Sequence, residues 1–331
     1  MKPGGKGIPL GVLISLLCLV LLLLSGFIRG RWEKIKRVTL IFRNDEHELR
    51  ELLEMNGYTD SNSELGDHGT NDLTFFSYKS IAAATNNFST DNKLGEGGFG
   101  PVFKARFSGG QEIAVKQLAR KSTQGMVEFK NEVFLIAKLQ HTNLVRLLGC
   151  CIHKEHKLLI YEYMPNKSLD SFLFDETKRG RLSWEIRFSI IAGISQGLLY
   201  LHKIFNQNVV EANTNRVVGT YGYMAPEYAM EGVYSVKSDV YSFGVLILEI
   251  LSGRKNNSFY HAEVPFNLVS LAWEFWNRDS ALELMDPLIS DSCIEHQFLR
   301  CVHIGLLCVE DRALDRPTMF DVRHYNYIIK L

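Results

Sequence analysis

The stretch Leu94–Lys116, LGEGGFGPVFKARFSGGQEIAVK, decides how the rest of the chain is read. Its glycines stand as Gly95-x-Gly97-x-x-Gly100. That spacing serves two architectures: a Rossmann turn that enters a helix, and a hairpin that folds over phosphates. Here Val102 and Phe103 lead into a second β-like segment, which selects the hairpin. Bare glycines at its tip let backbone N–H groups approach a phosphate; standing alone, the hairpin is an ordinary turn. Ile113-Ala114-Val115-Lys116 then reads as a strand of small and β-branched residues ending in a cation.

Working outward, Phe75–Phe88 (FFSYKSIAAATNNF) predicts a short helix capped by Ser77 or Ser80. A helix-period stretch over Met126–Leu139 carries Glu132, which with Lys116 is either a functional pair or two surface charges. LVRLLGCCI and HKLLIYEYM read as strands, the second running through Glu162 to Met164 and Pro165. After Ser168 the helical period dominates, in RFSIIAGISQGLLYLH, SDVYSFGVLILEILSG, SLAWEFWN and FLRCVHIGLLCVE. Strands first and helices afterwards predict an α+β protein with two lobes, residues 73–165 and 166–331.

The 37 basic residues balance the 37 acidic ones, so no positive field invites a nucleic acid. Cys18, Cys150, Cys151, Cys293, Cys301 and Cys308 have no zinc-like spacing, and buried reduced thiols are expected, with no metal site. Ile8–Ile28 is 21 residues without a charge, long enough to span a bilayer. Arg29, Arg31, Lys34, Lys36 and Arg37 follow it, outweighing Lys2 and Lys6 ahead of it. This predicts a single-pass membrane protein with residues 1–7 outside, a span at 8–28 and the remainder cytoplasmic. A cleaved signal peptide is the rival, against which stand the length of the run and its basic stop-transfer flank. Residues 29–72 read as a polar juxtamembrane linker.

Met224-Ala225-Pro226-Glu227 and the arginine of LDRPTM, Arg316, complete an ordered series. Glycine loop, lysine, glutamate, strand-to-proline segment, APE and arginine in this order resemble a eukaryotic protein kinase. FSYKSIAAATNNFSTDNKLGEGGFGPVFKA and NTNRVVGTYGYMAPEYAMEGVYSVKSDVYSFGVLILEILSGRKN look like plant receptor-like kinases, the S-domain (G-type lectin) group first and the cysteine-rich group beside it. The resemblance covers residues 73 to 322. It implies a bilobal kinase fold, and ATP held by Leu94, Gly95, Gly97, Gly100, Val102 and Ala114. It implies Lys116 on the α- and β-phosphates held by Glu132, Tyr161 as gatekeeper, and adenine bonded by the backbone of Glu162 and Met164. It further implies a Glu227–Arg316 tie, Asp239 bonded to the catalytic loop, and loop hydroxyls at Thr214, Thr220 and Tyr221 open to phosphorylation. Magnesium, protein serine or threonine substrates, the plasma membrane and other receptor-like kinases or cytosolic signalling proteins as partners follow from the same resemblance.

One part of that pattern is missing. HRDLxxxN and DFG belong after the helix that ends in Leu201-His202, and from Glu176 to Ser238 there is no aspartate. Ser242-Phe243-Gly244 lies after APE in an apolar helical run and reads as packing. Glu211 falls in the part matching the loop beyond DFG. Hence no catalytic residue is assigned: the base that receives the substrate proton and the magnesium ligands are both absent. IFNQNVV, residues 204–210, stands in place of about thirty residues of the resembled family. Asp239 is then expected to be a buried carboxylate without its partner, a cost to stability. Near the ends, the chain lacks the sensing domain of the receptors it resembles, and HYNYIIKL from His324 leaves their pattern. Three readings remain open: an impaired kinase relative that binds nucleotide, a pseudokinase-type binding module, and a non-functional product of a skipped coding segment.

Overall fold

The computed structural model describes residues 73–97, 100–118, 139–205, 212–214, 217–257 and 267–327, together with Phe129 and Val133. The expected span at 8–28 and its flanks at 1–7 and 29–72 lie outside these residues, as do Cys18, Glu132 and Glu211. Among the described residues no helix is long and apolar enough to cross a membrane. The chain divides into two compact units, Met1–Lys138 with Arg146–Tyr163, and Leu139–Val145 with Met164–Leu331.

The first unit is built on a six-stranded sheet of β1 (Thr74–Phe75), β2 (Lys93–Gly97), β3 (Gly100–Arg106), β4 (Glu112–Gln117), β5 (Leu147–His153) and β6 (His156–Glu162). Their order is β1-β5-β6-β4-β3-β2, antiparallel except for β1 on β5. Alternation along the strands separates two faces. Ile113, Val115, Leu158 and Ile160 point to one, where Ile81 of α1 (Tyr78–Ala84) covers them. Leu118, Cys150, Ile152 and Leu159 point to the other, packed with the helical residues Phe129 and Val133.

The predicted first helix is present but shorter than Phe75–Phe88. Phe75 belongs to β1, and Ser77 caps α1 by accepting the Ser80 N–H at 3.1 Å. Beyond Thr85 the chain turns left-handed at Asn86, Asn87 and Phe88, with φ of 52, 54 and 57°. This turn swings the Phe88 ring back between Tyr78 and Phe103. At Gly149 a Cβ would lie 2.0 Å from the Thr74 carbonyl, so only glycine lets β1 lie against β5.

The second unit is helical: α2 (Asp170–Leu173), α3 (Trp184–Phe205), α4 (Pro226–Glu231), α5 (Val236–Ser252), α6 (Leu268–Asn277), α7 (Glu295–Cys308) and α8 (Met319–Tyr327). A two-stranded ribbon, β7 (Ala212–Asn213) with β8 (Val233–Tyr234), joins them. Phe243 and Gly244 are buried within α5, as packing residues should be. A Cβ on Gly244 would stand 2.6 Å from that of Cys308 and 2.8 Å from the Gly305 carbonyl, so glycine sets the α5–α7 approach. Cys301 and Cys308 of α7 are buried in this core, and burial pushes both thiols up to about 12. Beneath it, Arg187 gives Nη2 to Asp286 at 2.5 Å, Nε to the Leu182 carbonyl and Nη1 to that of Ile250. The loop Leu139–Val145 docks on α3 where Gly193 and Gly197 present no side chain to Asn143.

Candidate functional site

The register of the sheet collects the predicted nucleotide residues of the first unit. Val102 pairs with Lys116, Lys116 with Leu159, and Ala114 with both Lys104 and Tyr161. Directly opposed residues share a face, so Val102, Ala114, Lys116 and Tyr161 all lie on the Leu159 side. In the β2–β3 hairpin Gly95 faces Val102 and Gly97 faces Gly100, whose φ of 114° suits only glycine. A Cβ on Gly95 would meet nothing within 4 Å. Leu94 beside it is exposed. Glu132, the expected partner of Lys116, lies outside the described residues.

Glu162 ends β6 with its N–H on the Arg146 carbonyl at 3.1 Å and its carboxylate on the Arg146 N–H at 2.7 Å. In the second unit Met164 is exposed and accepts the Lys167 N–H on its carbonyl.

The APE segment is the most completely bonded part of the second unit. Arg316, 2% exposed, gives Nη1 and Nη2 to the two oxygens of Glu227 at 2.7 and 2.8 Å. It also reaches the carbonyls of Glu310, Lys237 and Asp311, and its guanidinium lies over the Tyr241 ring. A planar fork meeting a carboxylate in this way is the geometry that lysine does not reproduce. Burial pushes the Glu227 carboxyl up, but Arg316 and Ser238 outweigh it and hold it below the ordinary value.

Sequence reading missed the lock beneath the adjoining loop. Glu249, buried in α5, accepts the Tyr223 hydroxyl at 2.6 Å and the Asn256 N–H at 2.8 Å. Asn256 holds the Gly222 carbonyl and Asn257 that of Tyr221, at 2.7 and 2.9 Å. Ser242 adds a 2.6 Å bond to the Tyr223 carbonyl. Burial raises the Glu249 carboxyl despite these donors. An acid inside VLILEIL was the available signal. The loop hydroxyls divide: Thr220 and Tyr221 are exposed, whereas Thr214 is half-buried with its N–H on the Gly232 carbonyl.

Asp239 corrects an expectation. Its side chain is 59% exposed and accepts from His202 Nε2–H at 3.0 Å. It is neither buried nor unpaired, because α3 runs on to Phe205 and brings His202 in its last turn beside α5.

The family model for protein tyrosine and serine/threonine kinases matches residues 88–210 and 205–319, two pieces that meet after α3. A putative G-type lectin S-receptor-like serine/threonine-protein kinase of Arabidopsis thaliana is 47% identical over 347 residues, covering 94% of this chain and 41% of its own length. Another G-type lectin S-receptor-like kinase of that plant is 52% identical over 290 residues, 77% of this chain and 34% of the relative. Cysteine-rich receptor-like protein kinase 10, also from Arabidopsis thaliana, is 50% identical over 295 residues, 79% and 44% of the two chains. The chain thus spans less than half the length of these relatives. In the first match, 94% of 331 residues is about 311, against 347 aligned, so about 36 positions of the relative face no residue here. The second gives about 35 by the same arithmetic, 77% of 331 being about 255 against 290. On the sheet, the helical unit and these matches together, the chain belongs to the protein tyrosine and serine/threonine kinase family, and its relatives are plant receptor-like serine/threonine kinases.

Proposed function

We propose that this chain is a membrane-anchored relative of receptor-like kinases that keeps a nucleotide-binding first unit and transfers phosphoryl groups poorly or not at all. The observation that carries the reading is the aspartate-free run from Glu176 to Ser238, which contains the join near the end of α3. Family chemistry needs an aspartate there to orient the substrate hydroxyl and receive its proton, help worth on the order of a hundred- to ten-thousandfold.

ATP, when bound, supplies the transferable phosphoryl group, and the residues of the first unit fit it. Val102 and Ala114 offer small apolar contacts, Lys116 a cation on the same face, and the hairpin its bare glycines. Magnesium fits less well. The carboxylate and amide that would hold it are absent from the sequence, and the described residues bring together no group of three His, Cys, Asp or Glu side chains. Anchoring rests on Ile8–Ile28 and its basic flank, with the kinase-like region on the cytoplasmic side of the plasma membrane.

Incubating the full chain in nanodiscs with Mg-ATP tests the reading. No autophosphorylation is expected, and incorporation that Lys116→Ala abolishes would overturn it.

A binding module is the second reading, favoured by the Glu227–Arg316 clamp and the Glu249 lock, which hold the substrate-side loop without the catalytic segment. Such a module competes for the partners of full-length receptors. A skipped coding segment is distinguished at the transcript across Lys203–Ile204: an in-frame insert encoding HRD and DFG restores the active-kinase reading.

A further inference from the structure

On one face of α3, Gln196, Leu199, Tyr200 and Lys203 recur at i, i+3, i+4 and i+7 and floor a half-open cleft of about 140 Å³. His141, from the loop docked on α3, and Arg323 of α8 form its walls. No acidic residue lines it.

Hydrogen-bond accounting makes this a cleft of donors. The His141 ring stacks on Tyr200 with centroids 4.9 Å apart. Its Nδ1 accepts the Asn143 N–H at 3.1 Å, so the neutral ring carries its proton on Nε2. The Tyr200 oxygen accepts the Gln140 N–H at 3.1 Å, which leaves its own hydrogen to be given. Lys203 and Arg323 are exposed, and neither has an ion-pair partner among the described residues. A lysine, an arginine fork, an imidazole N–H, a phenol and the Gln196 amide thus line one small space with no carboxylate among its described lining residues.

The complement of such a set is a compact anion with several acceptor oxygens and more than one negative charge. At about 140 Å³ the cleft is smaller than ordinary cofactor pockets of about 300 Å³ or more, and suits one tetrahedral group. We propose that it is a phosphate-binding site, occupied by inorganic phosphate or by the phosphomonoester of a phosphorylated protein side chain. It lies wholly in the second unit, so it stands or falls apart from nucleotide binding.

The full chain in phosphatidylcholine nanodiscs is titrated by calorimetry with inorganic phosphate and with a phosphoserine peptide, at constant ionic strength set by chloride. Saturable binding of at least one probe is expected. Lys203→Met and Arg323→Met each weaken it roughly tenfold, the scale of one charge-assisted hydrogen bond. Tyr200→Phe keeps the ring and weakens binding severalfold, while Arg254→Met, an exposed control, leaves it unchanged. All three altered side chains contribute to the cleft, and unchanged melting of the two Met variants shows that the fold is kept.

A peptide bound tenfold more tightly than phosphate assigns the side-chain source, and equal affinity assigns the free ion. Binding of neither probe, or binding equal in all variants, overturns the proposal. Binding confined to nanodiscs that carry phosphoinositide overturns it in favour of a lipid headgroup.

Discussion

His202 Nε2 lies 3.0 Å from Asp239 Oδ2, joining the last turn of α3 to the first turn of α5. The aspartate was expected to be stranded by the missing catalytic segment, and instead it sits at the surface with a new partner. Exposed pairs of this kind contribute about 1 kcal/mol or less. Asp239→Asn, at the exposed end of the pair, is therefore expected to lower stability by no more than about 1 kcal/mol, read as a small drop in Tm. A loss of several kcal/mol would point to a buried role for the carboxylate.

Arg316 behaves differently, because every arm of its guanidinium is used in a buried setting. Arg316→Ala leaves Glu227 without its cation and is expected to cost about 3–5 kcal/mol. Arg316→Lys recovers only part of this, since a point charge cannot serve both carboxylate oxygens. Chemical denaturation of the three chains compares them directly.

Glu227 and Glu249 of this unit respond to pH in opposite senses. Glu227 has its folded value depressed, so it stabilises the fold above its ordinary value of 4.5 and that contribution is lost as pH falls through the folded value. Glu249 has its folded value raised, so it favours the fold most in acid and less as pH climbs from 4.5 through the folded value. Tyr223→Phe removes the donor whose hydrogen bond favours the charged form of Glu249. It is expected to cost about 1–3 kcal/mol at pH 7 and distinctly less at pH 4. Melting curves of the variant at the two pH values measure the difference.

Gly244→Ala places a methyl where Cys308 and the Gly305 backbone already stand. The expected loss is about 1–3 kcal/mol from overpacking, without change in the secondary structure seen by circular dichroism. Gly95→Ala meets no neighbour and leaves stability near that of the parent chain, while it brings a side chain into the glycine hairpin and weakens ATP. A thermal-shift titration with ATP, with and without magnesium, separates the two variants. It is also expected to show little magnesium dependence for the parent chain.

Much of this architecture was readable in advance, and the reasons differ from residue to residue. The shared sheet face of Lys116, Val102 and Ala114 was legible from strand alternation. Glu227 and Arg316 were legible because APE and RPT are fixed relative to one another in the family pattern. Tyr223 and Glu249 were not, because their bond spans 26 residues and neither belongs to a motif with a spacing rule. The Asp239 expectation failed because it borrowed a partner from an intact kinase. His202, the actual partner, stands at the end of the predicted helix, but no spacing rule links it to a residue 37 positions on. The cleft beside α3 joins residues 141, 196–203 and 323, whose proximity only the tertiary fold creates.

The position of the join bears on the local bonding of the residues beside it. It falls two residues before the end of the 22-residue helix α3, and β7 beyond it is paired with β8. The described residues up to Phe205 are thus bonded within one helix and those of β7 within one ribbon, so neither side draws its local hydrogen bonds from the other.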